Sequence, residues 1–281
     1  MLLGIALSGG GIRGIAHAGV LKAFEENNIK IDIIGGTSSG SMVSVLYAMG
    51  YTPDEIYSLF KKYAKEIATI NSGPIISGIT NYMRNKDIRI KGLKSNQKLE
   101  ELCDKLANKK GIKSLEEIKM PIVIPTVDLI SEKEYIFTNN LLKAEEKYIT
   151  NISVGKAVRA SSSFSAVFCP FEYDKYAFMD GGILNNIPVE EVRRQGADKV
   201  IAINFESDKI KKNSNIMDIV MKTIDIMGDK IFEPNLKSSD YVLTVSTDGT
   251  GLLDLGKMDM CFQFGYNTAI QNMDKIKEAI L

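Results

Sequence analysis

The chain has 281 residues, with 35 Lys plus Arg against 35 Asp plus Glu, so its formal net charge is zero. That balance excludes a globally basic nucleic-acid binder and an acidic solvating tail, and 44% hydrophobic content at this length suffices for a large core without covalent staples. Three Cys with no CxxC spacing, and His17 as the single His, exclude a disulfide framework and a His- or Cys-built metal site.

Short apolar runs alternate with helical patterns, the signature of a mostly parallel sheet with helices on both faces. Leu2 to Leu7 reads as a buried strand, and a helix follows from about Gly14 to Glu26. Ile31 to Gly35 is a second strand, with a helix from about Ser39 to Met49. Thr52-Pro53-Asp54-Glu55 is a helix start, with a cap, Pro at the first position and acids in the first turn. Ile122 to Val127 and Tyr135 to Thr138 read as strands, Ser153 to Ala160 as a short helix and Tyr176 to Met179 as a short strand. A helix begins near Pro188, Lys199 to Asn204 and Tyr241 to Ser246 are further strands, and Asn215 to Phe232 and Gln263 to Ile280 are helices. The expected fold is α/β, three layers (α/β/α) around a mostly parallel central sheet.

The stretch from about Ile67 to Glu116 breaks this rhythm. It carries Gly73-Pro74, Gly78 and a basic run of Arg84, Lys86, Arg89, Lys91, Lys94 and Lys98, and reads as a partly helical insertion over one end of the sheet. The expectation is one domain, 1–281, with an insertion at about 67–116. The basic run, beside Ile75, Ile76, Ile79, Tyr82 and Met83, makes it a candidate for peripheral contact with anionic lipid; the rival reading is a solvated insertion with its apolar residues in the core. Nowhere are there the roughly 18 consecutive apolar residues of a membrane span, and the run before Ser8 lacks a basic n-region. A cytoplasmic protein touching membranes only peripherally is expected, in which the Asn151-Ile152-Ser153 sequon has no consequence.

Ser8-Gly9-Gly10-Gly11-Ile12-Arg13-Gly14 follows a strand and opens a helix. Its N–H groups and the helix N-terminus can form an anion-binding nest. Gly9, Gly11 and Gly14 also satisfy GxGxxG, so a dinucleotide site competes with this reading, as does a tight turn without a ligand. The acidic residue such a site requires is badly placed, because Asp32 starts its strand rather than ending it. Arg13 sits at a helix N-terminus, the unfavourable end for a cation. It either holds the loop, meets an anionic substrate group or forms a salt bridge.

Gly36-Thr37-Ser38-Ser39-Gly40 is a GxSxG sequence between a strand and a helix, the context of a nucleophile elbow. The glycine spacing centres on Ser38, with Ser39 a competitor by adjacency. Ser Oγ needs a general base. No His follows residue 17, so a Ser…Asp…His order is impossible, and the base is His17 or a carboxylate. His17 shares a helical face with Val20, Leu21 and Phe24, which favours a packing role. Asp180 ends a short strand before Gly181-Gly182, at the sheet edge where α/β ligand sites form, and is the best carboxylate; Asp128 is the runner-up.

Taken together, these segments resemble the patatin-like phospholipase family. The Gly9 to Gly14 loop with His17 and Gly19-Val20-Leu21 resembles its opening motif, Gly36 to Gly40 its elbow, and Asp180-Gly181-Gly182 its Asp-Gly-Gly motif. Ala157-Val158-Arg159-Ala160-Ser161 through Pro170 resembles the segment before that Asp, and the likeness runs from residue 3 to about 205. The resemblance implies a Ser38–Asp180 dyad hydrolase acting on lipid acyl esters through an acyl-enzyme, with an oxyanion hole from the loop at Gly9, Gly10 and Gly11 and no metal or cofactor. Arg13 and Arg159 are carried as candidate substrate-binding residues. An acyl transferase using the same site and a non-catalytic nucleotide- or anion-binding module are the rival readings.

Overall fold

The computed structural model describes residues 1–68, 95–140, 145–165, 167–206, 216–251 and 254–281. Among these, nine strands form one sheet: β1 (Leu3–Leu7), β2 (Ile33–Gly36), β3 (Ile122–Asp128), β4 (Lys133–Thr138), β5 (Tyr148–Ile149), β6 (Phe171–Tyr173), β7 (Tyr176–Asp180), β8 (Lys199–Phe205) and β9 (Tyr241–Val245). The main path runs β5-β4-β3-β2-β1-β8-β9. The five strands β3, β2, β1, β8 and β9 are parallel; β4 and β7 run antiparallel to β3.

The helices are α1 (Ile15–Glu26), α2 (Ser39–Ala48), α3 (Pro53–Ala68), α4 (Gln97–Lys109), α5 (Val154–Ser161), α6 (Val189–Arg194), α7 (Ile216–Lys237), α8 (Met258–Gln271) and α9 (Met273–Ala279). Side chains alternate across the strands, so the two faces bury different sets. Leu3, Ile5, Leu7, Ile34, Ile122, Ile124, Ile201, Ile203, Leu243 and Val245 join the core that includes residues of α1, α2, α4, α5 and α8. Ala6, Ile33, Val123, Val200 and Ala202 meet Val189 and Val192 of α6 on the opposite face, with Leu236 of α7 against them. A methyl group at Gly35 would stand 2.6 Å from Val192 Cγ2, so that glycine lets α6 close onto the sheet. On the first face α1 and α8 cross with backbones in contact: a Cβ at Gly19 would strike the Phe262 carbonyl, and one at Gly265 the Ala16 carbonyl.

The mostly parallel sheet and its flanking helices agree with the sequence reading. The capping expected at Thr52 is present as a reciprocal pair, Thr52 N–H to Glu55 Oε2 at 2.8 Å and Glu55 N–H to Thr52 Oγ1 at 3.2 Å. Three details differ. The helix read from Gln263 to Ile280 is two helices parted at Asn272, whose side-chain amide donates to the Thr268 carbonyl at 2.9 Å. The helix read as ending at Phe232 continues to Lys237 through Pro234. Within the 67–116 stretch, α4 is a core helix whose Leu99, Leu102, Cys103 and Leu106 are buried. Its apolar stripe packs against α5, where Asp104 Oδ1 accepts from the Gly155 N–H at 2.7 Å. The proposed lipid-contact residues from Ile75 to Lys94 lie outside the described residues.

One feature of the sheet decides where chemistry can occur. β2 pairs with β3 only at Ile122 and Val123, and then ends. β3 continues, and β7 occupies its vacated edge in the opposite direction, pairing Asp180 with Thr126 and Phe178 with Asp128. The C-terminal ends of β2 and β7 therefore approach each other head to head along one strand.

Candidate active site

The junction of β2 and α2 forms a sharp turn at Ser38, whose φ and ψ are 54° and −121°. Few non-glycine residues occupy positive φ, and the cost is about 1–3 kcal/mol, held here by the packing around it. The Ser38 N–H donates to Ser161 Oγ at 3.0 Å, Gly40 N–H to the Thr37 carbonyl at 2.8 Å, and Ser41 Oγ to the Ser38 carbonyl at 2.6 Å. Gly40 is required because a Cβ there would stand 2.6 Å from the Leu7 carbonyl oxygen and 2.7 Å from that of Ser8. Ser39, the competing nucleophile, instead has its Oγ buried against Gly14. Ser38 is half-buried at the end of the parallel strands, the position of an elbow nucleophile.

Asp180, 3% exposed, arrives at the same place from β7. Its N–H donates to the Ser163 carbonyl at 3.1 Å and its Oδ1 accepts from Gly182 N–H at 2.8 Å. Oδ2 is buried and accepts no aligned hydrogen bond among the described residues. Burial pushes this carboxyl up to about 6, against the opposing pull of the nearby Ser38 hydroxyl and of the Gly182 N–H. The hydroxyl is thus close enough to stabilise the carboxylate without closing a well-formed bond, a common state of a general base before substrate binds. Asp128 is built differently. Its oxygens accept from Ala177 N–H at 2.8 Å, Ser131 N–H at 2.9 Å and Ser131 Oγ at 2.6 Å. Burial raises its pKa, but these bonds prevail and hold the carboxyl below the usual range, which suits a turn and not a base.

The Gly-rich loop lies over Ser38. A Cβ placed on Gly9 would stand 3.2 Å from Ser38 Cβ. Gly11 has φ +58°, and a Cβ on Gly10 would lie 2.6 Å from the Phe205 ring, so both positions need glycine. The Gly9 N–H is committed to Asn186, at 3.0 Å to Oδ1 and 3.3 Å to the carbonyl. The N–H groups of Gly10 and Gly11 donate no hydrogen bond among the described residues, which leaves them for an oxyanion.

Two cationic candidates and the histidine have defined places. Arg13 is buried, with Nε on the Gly10 carbonyl at 3.3 Å and its guanidinium 5.6 Å from the Phe205 centroid. These contacts are consistent with the loop-holding option. Arg159 pairs with Glu100 at 2.7 Å, donates to Ser95 Oγ at 3.3 Å and lies over the Phe171 ring. His17 is fully buried, its Nε2 on the Ser8 carbonyl at 2.8 Å and its ring 4.7 Å from that of Phe205. Because a carbonyl only accepts, Nε2 carries the proton. Burial pushes His17 down to about 4 against that bond, so it is neutral near pH 7 and tied to the underside of the loop.

The sequence profile of the patatin-like phospholipase family matches residues 5–193, which contain the loop, the elbow and Asp180. The chain belongs to this family. It is 27% identical over 300 residues to lysophospholipase NTE1 of Scheffersomyces stipitis, covering 95% of this chain and 18% of that protein. It is 26% identical over 299 residues to mouse patatin-like phospholipase domain-containing protein 6, covering 94% of this chain and 20% of that one. The chain thus spans about a fifth of the length of these curated relatives. Among solved structures it resembles VipD from Legionella pneumophila, with a TM-score of 0.55 at 16% identity over 98% of this chain and 67% of that one. It also resembles the ExoU–SpcU complex of Pseudomonas aeruginosa, with a TM-score of 0.54 at 17% identity over 99% of this chain and 52% of that one. These likenesses agree in fold.

Sequence reasoning about this patatin-like chain missed three contributors. Ser161, noted only as part of an Arg-Ala-Ser run, holds the Ser38 N–H. Asn185 takes the Thr37 hydroxyl on its carbonyl at 2.8 Å and joins Glu134 Oε1 at 2.7 Å and Asn235 at 3.2 Å. Asn186 holds Gly9. The available signal was the Asn185-Asn186 pair just after Asp180-Gly181-Gly182: two amides beside a buried carboxylate rarely lack a backbone partner.

Proposed function

We propose that this chain is a serine lipid acyl hydrolase of the phospholipase A or lysophospholipase type, acting by a Ser38–Asp180 dyad. Membership of the patatin-like family supports the substrate class, as do the names of the curated relatives. The observation that carries the mechanism is the head-to-head meeting of a strained Ser38 with a buried carboxylate whose Oδ2 is unpartnered. Ser38 Oγ attacks the ester carbonyl as Asp180 Oδ2 takes its proton. The carbonyl π electrons move to oxygen, where the Gly10 and Gly11 N–H groups meet the negative charge. Collapse expels the lyso-lipid or glycerol alkoxide, which takes the proton back from Asp180 and leaves an acyl-Ser38 ester. Water then attacks this ester, with Asp180 again accepting the proton, and the fatty acid departs as Ser38 is restored.

A carboxyl near 6 is ionised at neutral pH yet more basic than an exposed aspartate, which fits it for this work. The test is incubation of the purified chain with a fluorophosphonate probe and with lysophospholipid micelles, comparing wild type with Ser38→Ala. Labelling and fatty-acid release by wild type, both lost in the variant, is the expected result. Undiminished release by a folded Ser38→Ala protein refutes the assignment. Acyl transfer to an added alcohol in place of water would redirect the reading to a transferase.

A further inference from the structure

The Gly-rich loop cannot hold its own shape. Its glycines are the least restricted residues of the chain, and two of its N–H groups must face a transient charge instead of a partner. Its carbonyls are tied from below, Ser8 by His17 and Gly10 by Arg13. One tie reaches it from the catalytic side. Asn186 receives the Gly9 N–H on both its side-chain oxygen, at 3.0 Å, and its own carbonyl, at 3.3 Å.

The location of that amide is informative. The point where a Gly9 Cβ would stand is 2.6 Å from Asn186 Oδ1 and 3.2 Å from Ser38 Cβ. The point where a Gly182 Cβ would stand is 3.1 Å from the same Oδ1 and 3.0 Å from Asp180 Oδ1. One amide oxygen thus lies between the loop that would bind the oxyanion, the nucleophile and the turn that carries the base. The preceding residue adds a link to the elbow, since the Asn185 carbonyl accepts the Thr37 hydroxyl at 2.8 Å.

We propose that Asn186 is a positioning residue that sets the height and tilt of the Gly9–Gly11 loop over Ser38, and so aligns the Gly10 and Gly11 N–H groups with the developing oxyanion. This rests on the assignment of Ser38 as nucleophile. By committing the Gly9 N–H, Asn186 leaves the next two N–H groups facing the site. A displaced loop weakens charge stabilisation in the transition state while leaving the apolar contacts of the acyl chain intact. The loss therefore falls on kcat rather than KM.

The experiment compares wild type, Asn186→Ala and Asn186→Asp, the last keeping an acceptor oxygen in place. Outright loss of an oxyanion donor costs about 100- to 1,000-fold, so a misaligned pair should cost about 10- to 100-fold. We expect kcat on lysophospholipid and the rate of Ser38 labelling by a fluorophosphonate both to fall by that factor in Asn186→Ala, with KM changed less than about threefold. Hydrogen exchange at the Gly9 amide, which needs no catalysis, should accelerate in Asn186→Ala and remain slow in Asn186→Asp. Asn186→Asp also brings a negative charge near the oxyanion site, so its readout is the Gly9 exchange and not the rate. A folded Asn186→Ala with wild-type kcat overturns the proposal. So does a fall in kcat with unchanged Gly9 exchange. If Asn186→Ala does not fold, Asn186→Asp decides alone: fast Gly9 exchange in that variant refutes the clamp. Failure of the nucleophile assignment would appear separately, as labelling that survives Ser38→Ala.

Discussion

Replacing Asp180 by Asn should abolish activity and at the same time stabilise the protein, in a way that depends on pH. The carboxyl is buried, its Oδ2 is unpartnered, and its pKa is about 6 in the fold against 3.8 in the unfolded chain. For a carboxyl whose folded value is raised, the native state binds the proton more tightly than the unfolded state. Below the unfolded value both states are protonated and nothing is lost. As pH rises from about 4 to about 6, the unfolded chain ionises freely while the folded one resists, and stability falls. The gap between 3.8 and about 6 amounts to about 3 kcal/mol once both states are ionised. Asparagine has no charge to bury, keeps an oxygen for the Gly182 N–H, and can donate towards Ser38 Oγ.

The expected result is an Asp180→Asn protein more stable than wild type by up to about 3 kcal/mol at pH 8, or about 6 °C in Tm for a chain of this size, with the difference vanishing towards pH 4. Thermal melts of both proteins between pH 4.5 and 8.5 measure it. His17 works in the opposite direction. Its folded value near 4 lies below its unfolded 6.5, so its contribution is complete above pH 6.5 and is lost as pH falls towards 4. That loss is common to both proteins and cancels in their difference. A difference in stability that does not change with pH, or a variant less stable than wild type at pH 8, would refute the claim that Asp180 is held at a cost by its surroundings.

Three other outcomes follow from the same geometry. Because Ser38 sits at φ 54°, Ser38→Gly should be more stable than Ser38→Ala by about 1 kcal/mol in urea unfolding, although both are inactive; equal stability would mean the elbow stores no strain. The pH–rate profile of kcat/KM should fall tenfold per unit below about 6, following ionisation of Asp180, and His17→Gln should keep that midpoint in whatever fraction stays folded; a midpoint displaced by the His17 change would implicate the ring in proton transfer. Gly40→Ala should fail to fold or lose more than about 3 kcal/mol, because its methyl would meet the Leu7 and Ser8 carbonyl oxygens, while Gly251→Ala, with nothing among the described residues within 4 Å of the new methyl, serves as the neutral control. Comparable melting of the two alanine variants would show that the strand-to-helix junction has room the structure denies.

What could be read from sequence and what could not follow from the range of the interactions involved. The layers were legible because a buried parallel strand such as Leu3–Leu7 is apolar throughout, and because Gly, Ser and Thr cluster where a strand turns into a helix. The elbow and the Gly-rich loop are local devices, each complete within seven residues. Asp180 needed a further step, in which position and helical face favoured a packing role for His17 over that of a base, and the structure places that imidazole against Phe205 and bonded to the Ser8 carbonyl. Asn185, Asn186 and Ser161 are harder to place, because their bonds to Thr37, Gly9 and Ser38 span 148, 177 and 123 residues and no pattern of period 2 or 3.6 marks them, so the paired amides flag a backbone contact without naming its partner.

The pairing of β3 bears on how the proposed Ser38–Asp180 site would work without a histidine. In an ordinary parallel sheet each strand edge belongs to one neighbour, and a residue at the end of β2 faces solvent or a loop. Here β2 stops after two paired positions, and the remaining edge of β3 is filled by β7 running the other way. The nucleophile and the carboxylate are therefore both anchored in the sheet, at the ends of strands that share a partner, and neither depends on a flexible loop to find the other. A carboxylate delivered in this way is buried at the strand end, and that burial raises its pKa. A general base at this position would gain from that desolvation a basicity an exposed aspartate lacks. A histidine would bring suitable basicity with its own ring. Under the proposed mechanism, the burial that the strand order imposes on Asp180 would take the place of that ring.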